Sequence, residues 1–171
     1  MLQITPAISA ENIAYIQELF REYARIPGVA PCVDDFEREV ASLPGLYAPP
    51  GGMLLLALED GSGVLPRSAV GCVGLRRWDE RSCEMKRLFV RPEFRDCGAG
   101  IALVNEIIVR ARSLGYERML LDTLPSMQKA QELYRSLGFR EIPPYPKKPV
   151  PGALCFALDL SGRSEATRVG R

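Results

Sequence analysis

Apolar residues recur twice at helical spacing in the first third of the chain, and then give way to short continuous apolar runs. Ile13, Ile16, Leu19, Phe20 and Tyr23 share one helical face behind Ser9, a residue suited to the cap position, and Pro27-Gly28 stops the pattern. Asp34 followed by Glu37 has the form of a capping box, and Phe36, Val40 and Leu43 carry a second helix to Pro44-Gly45. After the turn-rich Tyr47 to Gly52, Met53 to Leu58 reads as a buried strand closed by Glu59-Asp60-Gly61-Ser62-Gly63. Two more strands follow, Ala69 to Arg76 and Cys83 to Val90, and three strands in succession predict an antiparallel meander.

Beyond Val90 the pattern alternates. Ile101, Val104, Ile107, Ile108, Ala111 and Leu114 form one helical face ended by Gly115, and Arg118 to Asp122 is a strand. A crossover of this length predicts a parallel pairing. Pro125-Ser126 opens a last helix with Met127, Ala130, Leu133, Tyr134 and Leu137 inward, followed by strands at Phe139 to Ile142 and Ala153 to Leu160. The loop between these strands holds five prolines, which exclude a central strand there. The expectation is an α/β (α+β) fold: a mixed, mostly antiparallel central sheet with helices on both faces, in one domain over residues 1–160. Residues 161–171 read as a flexible tail.

Composition narrows the chemistry. With 47% hydrophobic and 25% charged residues, the 171-residue chain reads as globular. No apolar run approaches the roughly 20 residues of a membrane span, and Met1-Leu2-Gln3 lacks signal-peptide features, so the expectation is a cytoplasmic protein. Neither a membrane nor a nucleic-acid partner is expected. The five cysteines, Cys32, Cys72, Cys83, Cys97 and Cys155, form no C-x-x-C pair and read mostly as buried thiols. Histidine is absent, which removes imidazole catalysis and histidine-bound metals and leaves Asp, Glu, Tyr, Lys and Cys for proton transfer, with a carboxylate- or phenol-based catalyst expected. The first 60 residues carry 3 basic and 9 acidic side chains and the remainder 19 and 12, so the larger part suits an anionic ligand.

The stretch Arg95-Asp96-Cys97-Gly98-Ala99-Gly100 lies where a strand turns into a helix. The first turn of a helix leaves backbone N–H groups unpaired, and glycines let an anion approach them, so the stretch reads as a phosphate seat. Gly98-Ala99-Gly100 with Asp122 downstream also matches part of a dinucleotide fingerprint, but Leu103 stands where its third glycine belongs.

The same residues resemble the GNAT superfamily of acetyl-coenzyme A dependent N-acetyltransferases. Arg95 to Gly100 is similar to its Arg/Gln-x-x-Gly-x-Gly/Ala pyrophosphate loop, and Ala130 to Phe139 (AQELYRSLGF) to its closing helix; the likeness spans about Met53 to Leu160. The resemblance implies acetyl-CoA as co-substrate without a metal, its pyrophosphate on Arg95 to Ile101 and its pantetheine arm along Leu88-Phe89-Val90. The acceptor would be a small-molecule or protein amine, and family members often form homodimers. Glu84 matches the family's strand-borne general base and Tyr134 its thiol-protonating tyrosine. The backbone N–H of Leu88 would stabilise the oxyanion. An asparagine common in the family is replaced by Met127, so the resemblance implies that its coenzyme contact is missing or moved to Ser126 or Thr123. Two bland alternatives remain open at this point: Glu84 as a structural partner of Lys86 or Arg87, and Tyr134 as a core residue. A module that binds acyl-CoA or a partner without catalysis is the competing functional class.

Overall fold

The computed structural model describes residues 1–29, 33–61 and 68–162, without the side chains of Val33 and Asp34. Cys32, the Asp34 capping contact, the turn at Ser62-Gly63 and positions 163–171 of the expected tail lie outside the described residues.

One seven-stranded sheet organises the chain, in the order β1-β2-β3-β4-β5-β7-β6. Its strands are β1 (Leu2–Pro6), β2 (Met53–Glu59), β3 (Ser68–Arg77), β4 (Ser82–Val90), β5 (Arg118–Thr123), β6 (Arg140–Ile142) and β7 (Leu154–Asp159). Among the described strands only β4 and β5 pair in parallel, as the helical crossover between them requires. The helices are α1 (Ala10–Ala24), α2 (Val33–Ala41), α3 (Ala99–Ser113) and α4 (Gln128–Ser136).

The unbroken apolar run of β2 follows from burial on both faces. Leu54, Leu56 and Leu58 pack with Ile16, Leu19, Phe20, Phe36 and Val40 of α1 and α2. Leu55 and Ala57 point the other way, toward Leu103, Val104 and Ile107 of α3. Each such leucine or isoleucine stabilises by about 1.5–3 kcal/mol relative to exposure. Ser9 caps α1 as expected, accepting from the Asn12 N–H at 3.1 Å. Arg91, at the end of β4, ties this strand to α1: its guanidinium donates to Glu22 at 2.7 Å, to Glu18 at 2.5 Å and to the Ala69 carbonyl at 2.8 Å.

Several boundaries differ from the sequence reading. β1 was not assigned there, because Leu2-Gln3-Ile4-Thr5-Pro6 is a five-residue edge strand whose partner, β2, lies some fifty residues later. α3 starts at Ala99 rather than Ile101, because Gly98 takes a left-handed φ of 85° and turns the chain into the helix. α4 starts at Gln128, not at Pro125-Ser126: a turn closed by the Met127 N–H on the Leu124 carbonyl precedes it. Phe139 leaves β6 to fill the core. No described helix is long and apolar enough to cross a membrane.

The bond between β3 and β4 leaves no room at Gly71, where an added Cβ would lie 2.5 Å from the Phe89 carbonyl oxygen, a backbone atom. Gly71→Ala is expected to cost about 1–3 kcal/mol by overpacking. A thermal melt should show the midpoint lowered by several degrees, at roughly 2–4 °C per kcal/mol for a chain of this size.

Candidate active site

The sheet opens at its centre. β4 and β5 are paired from Ser82 to Glu84 against Arg118 to Leu120, and no pairing follows. β5 stays bonded to β7 as far as Thr123, and β4 stays bonded to β3 as far as Val90, so the facing edges of both strands run on without a ladder between them. The divergence coincides with a bulge. Cys72 pairs with Phe89 and Gly74 with Lys86, so Arg87 and Leu88 together oppose Val73. Arg87 adopts a φ of 60°, a left-handed conformation that a non-glycine residue holds only when its surroundings fix it.

Those surroundings are specific. The Arg87 guanidinium lies over the rings of Tyr23 and Phe36, at 5.5 and 5.4 Å from their centroids, and donates to Glu39 at 2.7 Å. The Tyr47 hydroxyl donates to the other Glu39 oxygen at 2.5 Å. Arg87 Nε is buried without a hydrogen-bond partner among the described residues, which the two ring faces partly offset.

A cavity of about 50 Å³ occupies the gap, lined among others by Tyr23, Lys86, Leu88, Asp122, Met127 and Tyr134. Strand alternation separates its two faces chemically. Cys83 and Met85 join the core under α3, together with Met119 and Leu121. Glu84, Lys86, Leu120 and Asp122 alternate with them and therefore point to the opposite face. Lys86 and Asp122 form an ion pair across the gap at 3.3 Å.

Tyr134 lies on the α3 side. Its ring packs on Phe139 and Phe156 with centroids 5.6 and 6.2 Å away, and it also lines the gap. Burial, reinforced by Tyr23 and Asp122, pushes its phenol above the usual range, so it is neutral and carries its proton. Leu88 lines the cavity, Phe89 is buried against the α1–α2 core, and Val90 packs toward α3.

Glu84 is only 1% exposed and does not line the cavity. Its partner is neither Lys86 nor Arg87, the two partners weighed from sequence. These reach Asp122 and Glu39, while Arg76, directly opposite Glu84 on β3, donates to its Oε1 from Nε at 2.7 Å and Nη2 at 2.6 Å. The Tyr145 hydroxyl donates to Oε2 at 2.5 Å. Arg76 and Tyr145 were missed in the sequence. Arg76 was readable as an in-register cross-strand neighbour, but nothing local connects Tyr145 with Glu84.

The glycine-rich turn lies at the end of β4. A short 3₁₀ turn, Pro92–Phe94, leads into it, and Asp96 and Gly98 both have positive φ, 68° and 85°. The first intrahelical bond of α3 runs from the Ala102 N–H to the Gly98 carbonyl, so the N–H groups of Ala99, Gly100 and Ile101 precede it. Arg95 folds back onto the Val90 carbonyl at 3.3 Å, and the exposed Asp96 carboxylate faces Lys129 of α4 at 3.5 Å. Cys97 is exposed, with its thiol on the Phe94 carbonyl. Ser126 is exposed and makes no cap for α4, whereas Thr123 lines the gap and donates to the Met127 sulfur.

Cys72, Cys83 and Cys155 are buried free thiols, and burial pushes Cys83 up to about 12, which makes it unreactive at neutral pH. Among the described residues no group of three candidate metal ligands occurs. The dinucleotide reading fails on topology: a single parallel pair in an otherwise antiparallel sheet is not a doubly wound fold, and Asp122 is engaged by Lys86.

Comparison with known proteins agrees with this architecture. The model of the acetyltransferase (GNAT) family matches residues 13–139. An uncharacterized N-acetyltransferase of Schizosaccharomyces pombe is 37% identical over 144 residues, covering 84% of this chain and 85% of that protein. Among solved structures, a GNAT acetyltransferase of Staphylococcus aureus superposes with a TM-score of 0.77 at 21% identity, covering 94% of this chain and 99% of its own. A GNAT acetyltransferase of Elizabethkingia anophelis with acetyl-CoA bound superposes with a TM-score of 0.63 at 20% identity, over 92% and 97% of the two chains. With its family match running from α1 to the residue before β6, the chain belongs to the GNAT family of acetyltransferases.

Proposed function

We propose that residues 1–160 form one catalytic domain that moves the acetyl group of acetyl-CoA to a primary amine by direct transfer, with both substrates bound together. The observation that carries this reading is the unpaired gap between β4 and β5, with Tyr134 on one face, Glu84 directed to the other, and the α3 N-terminus at the end of β4.

In this reading the coenzyme enters from the α3–α4 side. Its pyrophosphate lies against the first-turn N–H groups of α3, with Arg95 nearby, and the helix dipole favours the negative charge. Its pantetheine arm takes the place of a strand partner along Leu88-Phe89-Val90. The amine, on a small molecule or a protein, approaches from the α1–α2 side, where Lys86 and Asp122 line the gap. An ammonium must lose a proton before it attacks, and Glu84 is the acceptor of that proton. The tetrahedral oxyanion is held by the Leu88 N–H. As the carbon–sulfur bond breaks, Tyr134 donates its proton to the departing thiolate.

The direct test is release of coenzyme A thiol from acetyl-CoA in the presence of amino acids, polyamines, aminosugars and peptide N-termini. Amine-dependent release with a matching acetylated product is expected. Binding of acetyl-CoA without transfer to any of these amines contradicts the reading.

At Gly100 an added Cβ meets only Val90 and Leu133, at ordinary contact distances of 3.8 and 4.0 Å. Gly100→Ala should therefore fold normally, while Gly100→Asp sets a negative charge beside the phosphate seat. Calorimetry should show acetyl-CoA affinity falling about tenfold or more for Gly100→Asp, equivalent to roughly 1.4 kcal/mol.

Tyr134→Phe keeps both ring contacts and removes one proton. Single-turnover transfer should slow by about 10² or more, with coenzyme affinity unchanged. A wild-type rate, with chemistry limiting, would return Tyr134 to the core.

Glu84→Gln removes basicity while its amide oxygen can still accept from Arg76. Turnover at neutral pH should fall by roughly 10² to 10⁴ and recover toward wild type at high pH, where the amine is already neutral. A merely structural Glu84 would give a lower melting temperature with nearly normal turnover, and fold damage would lower activity equally at every pH.

A further inference from the structure

Glu84 is only 1% exposed and does not line the gap, yet one of its oxygens meets a group that can both donate and accept a proton. Oε1 is held by two nitrogens of Arg76, and Oε2 accepts only the Tyr145 hydroxyl among the described residues. Tyr145 stands in the loop between β6 and β7, with Pro143, Pro144 and Pro146 around it, and the fixed φ of these residues limits the backbone freedom of the phenol's anchor. Its ring meets Trp78, just beyond β3, edge to face at 5.0 Å between centroids. The phenol oxygen donates one hydrogen and keeps acceptor capacity for another donor.

Resting on the reading of Glu84 as proton acceptor, we propose that Tyr145 is the relay through which the amine's proton reaches it. The ammonium N–H bond breaks as a new O–H bond forms at the phenol oxygen. The original phenol O–H bond breaks as Glu84 Oε2 gains a proton. The amine is left neutral with its lone pair free, Glu84 becomes a carboxylic acid, and Tyr145 is unchanged.

The surroundings favour a concerted transfer over a standing phenolate. Arg76 of β3, Glu84 and Lys86 of β4, Asp122 of β5 and the Cys155 thiol of β7 are the charged and titratable groups around the phenol. Burial first, then the charge and hydrogen bond of Glu84, hold the phenol well above its ordinary range, with Asp122 and Cys155 adding to the shift. Tyr145 therefore remains neutral and accepts a proton only while passing one on.

The test compares wild type, Tyr145→Phe, Glu84→Gln and the double variant in single-turnover acetylation of ethylamine and of 2,2,2-trifluoroethylamine, from neutral pH to about pH 10. The fluorines leave the second amine largely neutral, so it needs little proton removal. The relay predicts that each single variant slows ethylamine transfer by roughly 10² or more at neutral pH. The double variant should be no slower than the slower single, because both residues serve one path. The loss should shrink at high pH and with trifluoroethylamine, and acetyl-CoA affinity should be retained. Trp78 is the chain's single tryptophan, so its fluorescence reports whether the loop stays docked in Tyr145→Phe. If it does not, 3-fluorotyrosine at position 145 keeps the hydroxyl and changes its acidity, and an unchanged ethylamine rate would overturn the relay. A wild-type rate for Tyr145→Phe alongside a slow Glu84→Gln overturns the relay and leaves Glu84 as the base. Multiplying losses in the double variant also overturn it. A wild-type rate for Glu84→Gln removes the base itself, and the relay with it.

Discussion

A parallel pair of strands stops bonding midway beside a half-buried arginine. Arg87 stands in the bulge of β4 at positive φ, and that conformation persists because Glu39, Tyr23 and Phe36 engage its guanidinium from α1 and α2. The bulge gives β4 an extra residue relative to β3 and turns the strand away from β5. Arg91 fixes the far end of β4 to Glu18 and Glu22 of α1. The strand is thus pinned at both points to the helices on one face, while β5 is bonded to β7, and the gap between them is left to be filled.

Because the gap lies between two strands, it inherits their alternation. Side chains on the α3–α4 side are mostly apolar, with Thr123 and Tyr134, whose phenol stays neutral, among the polar exceptions. On the α1–α2 side the same strands line the gap with Lys86 and Asp122, and Glu84 lies buried on that face behind Arg76 and Tyr145. The proposed chemistry uses this division: an acid near the leaving thiolate and a base near the incoming ammonium, on opposite faces of one sheet. The proposed phosphate seat would need little side-chain identity beyond small size, since helix geometry supplies its donors.

Much of this was legible in the residues. The two-faced burial of β2 is written as Met53 to Leu58, the cap of α1 as Ser9, and the turn into α3 as Gly98, because each depends on local geometry or on apolar content alone. The first strand was not legible, since Leu2 to Pro6 has a strand's character only when β2 is beside it. Nor was the order β5-β7-β6, in which the last strand inserts between two earlier ones.

At the site the boundary falls in the same place. Sequence by itself determined most of the elements, the absence of histidine chemistry and the glycine turn before a helix, for these rest on composition, period and short motifs, while Glu84 and Tyr134 entered as candidates through the family resemblance. Only the tertiary structure decided what each group faces. It gave Glu84 to Arg76 through strand register, Lys86 to Asp122 across the gap, and Arg87 to Glu39 through the bulge. It also brought Tyr145 to Glu84 from 61 residues away. A hydrogen bond or ion pair between remote residues depends on distances of a few ångströms that the whole fold sets, and no local pattern of residues encodes them.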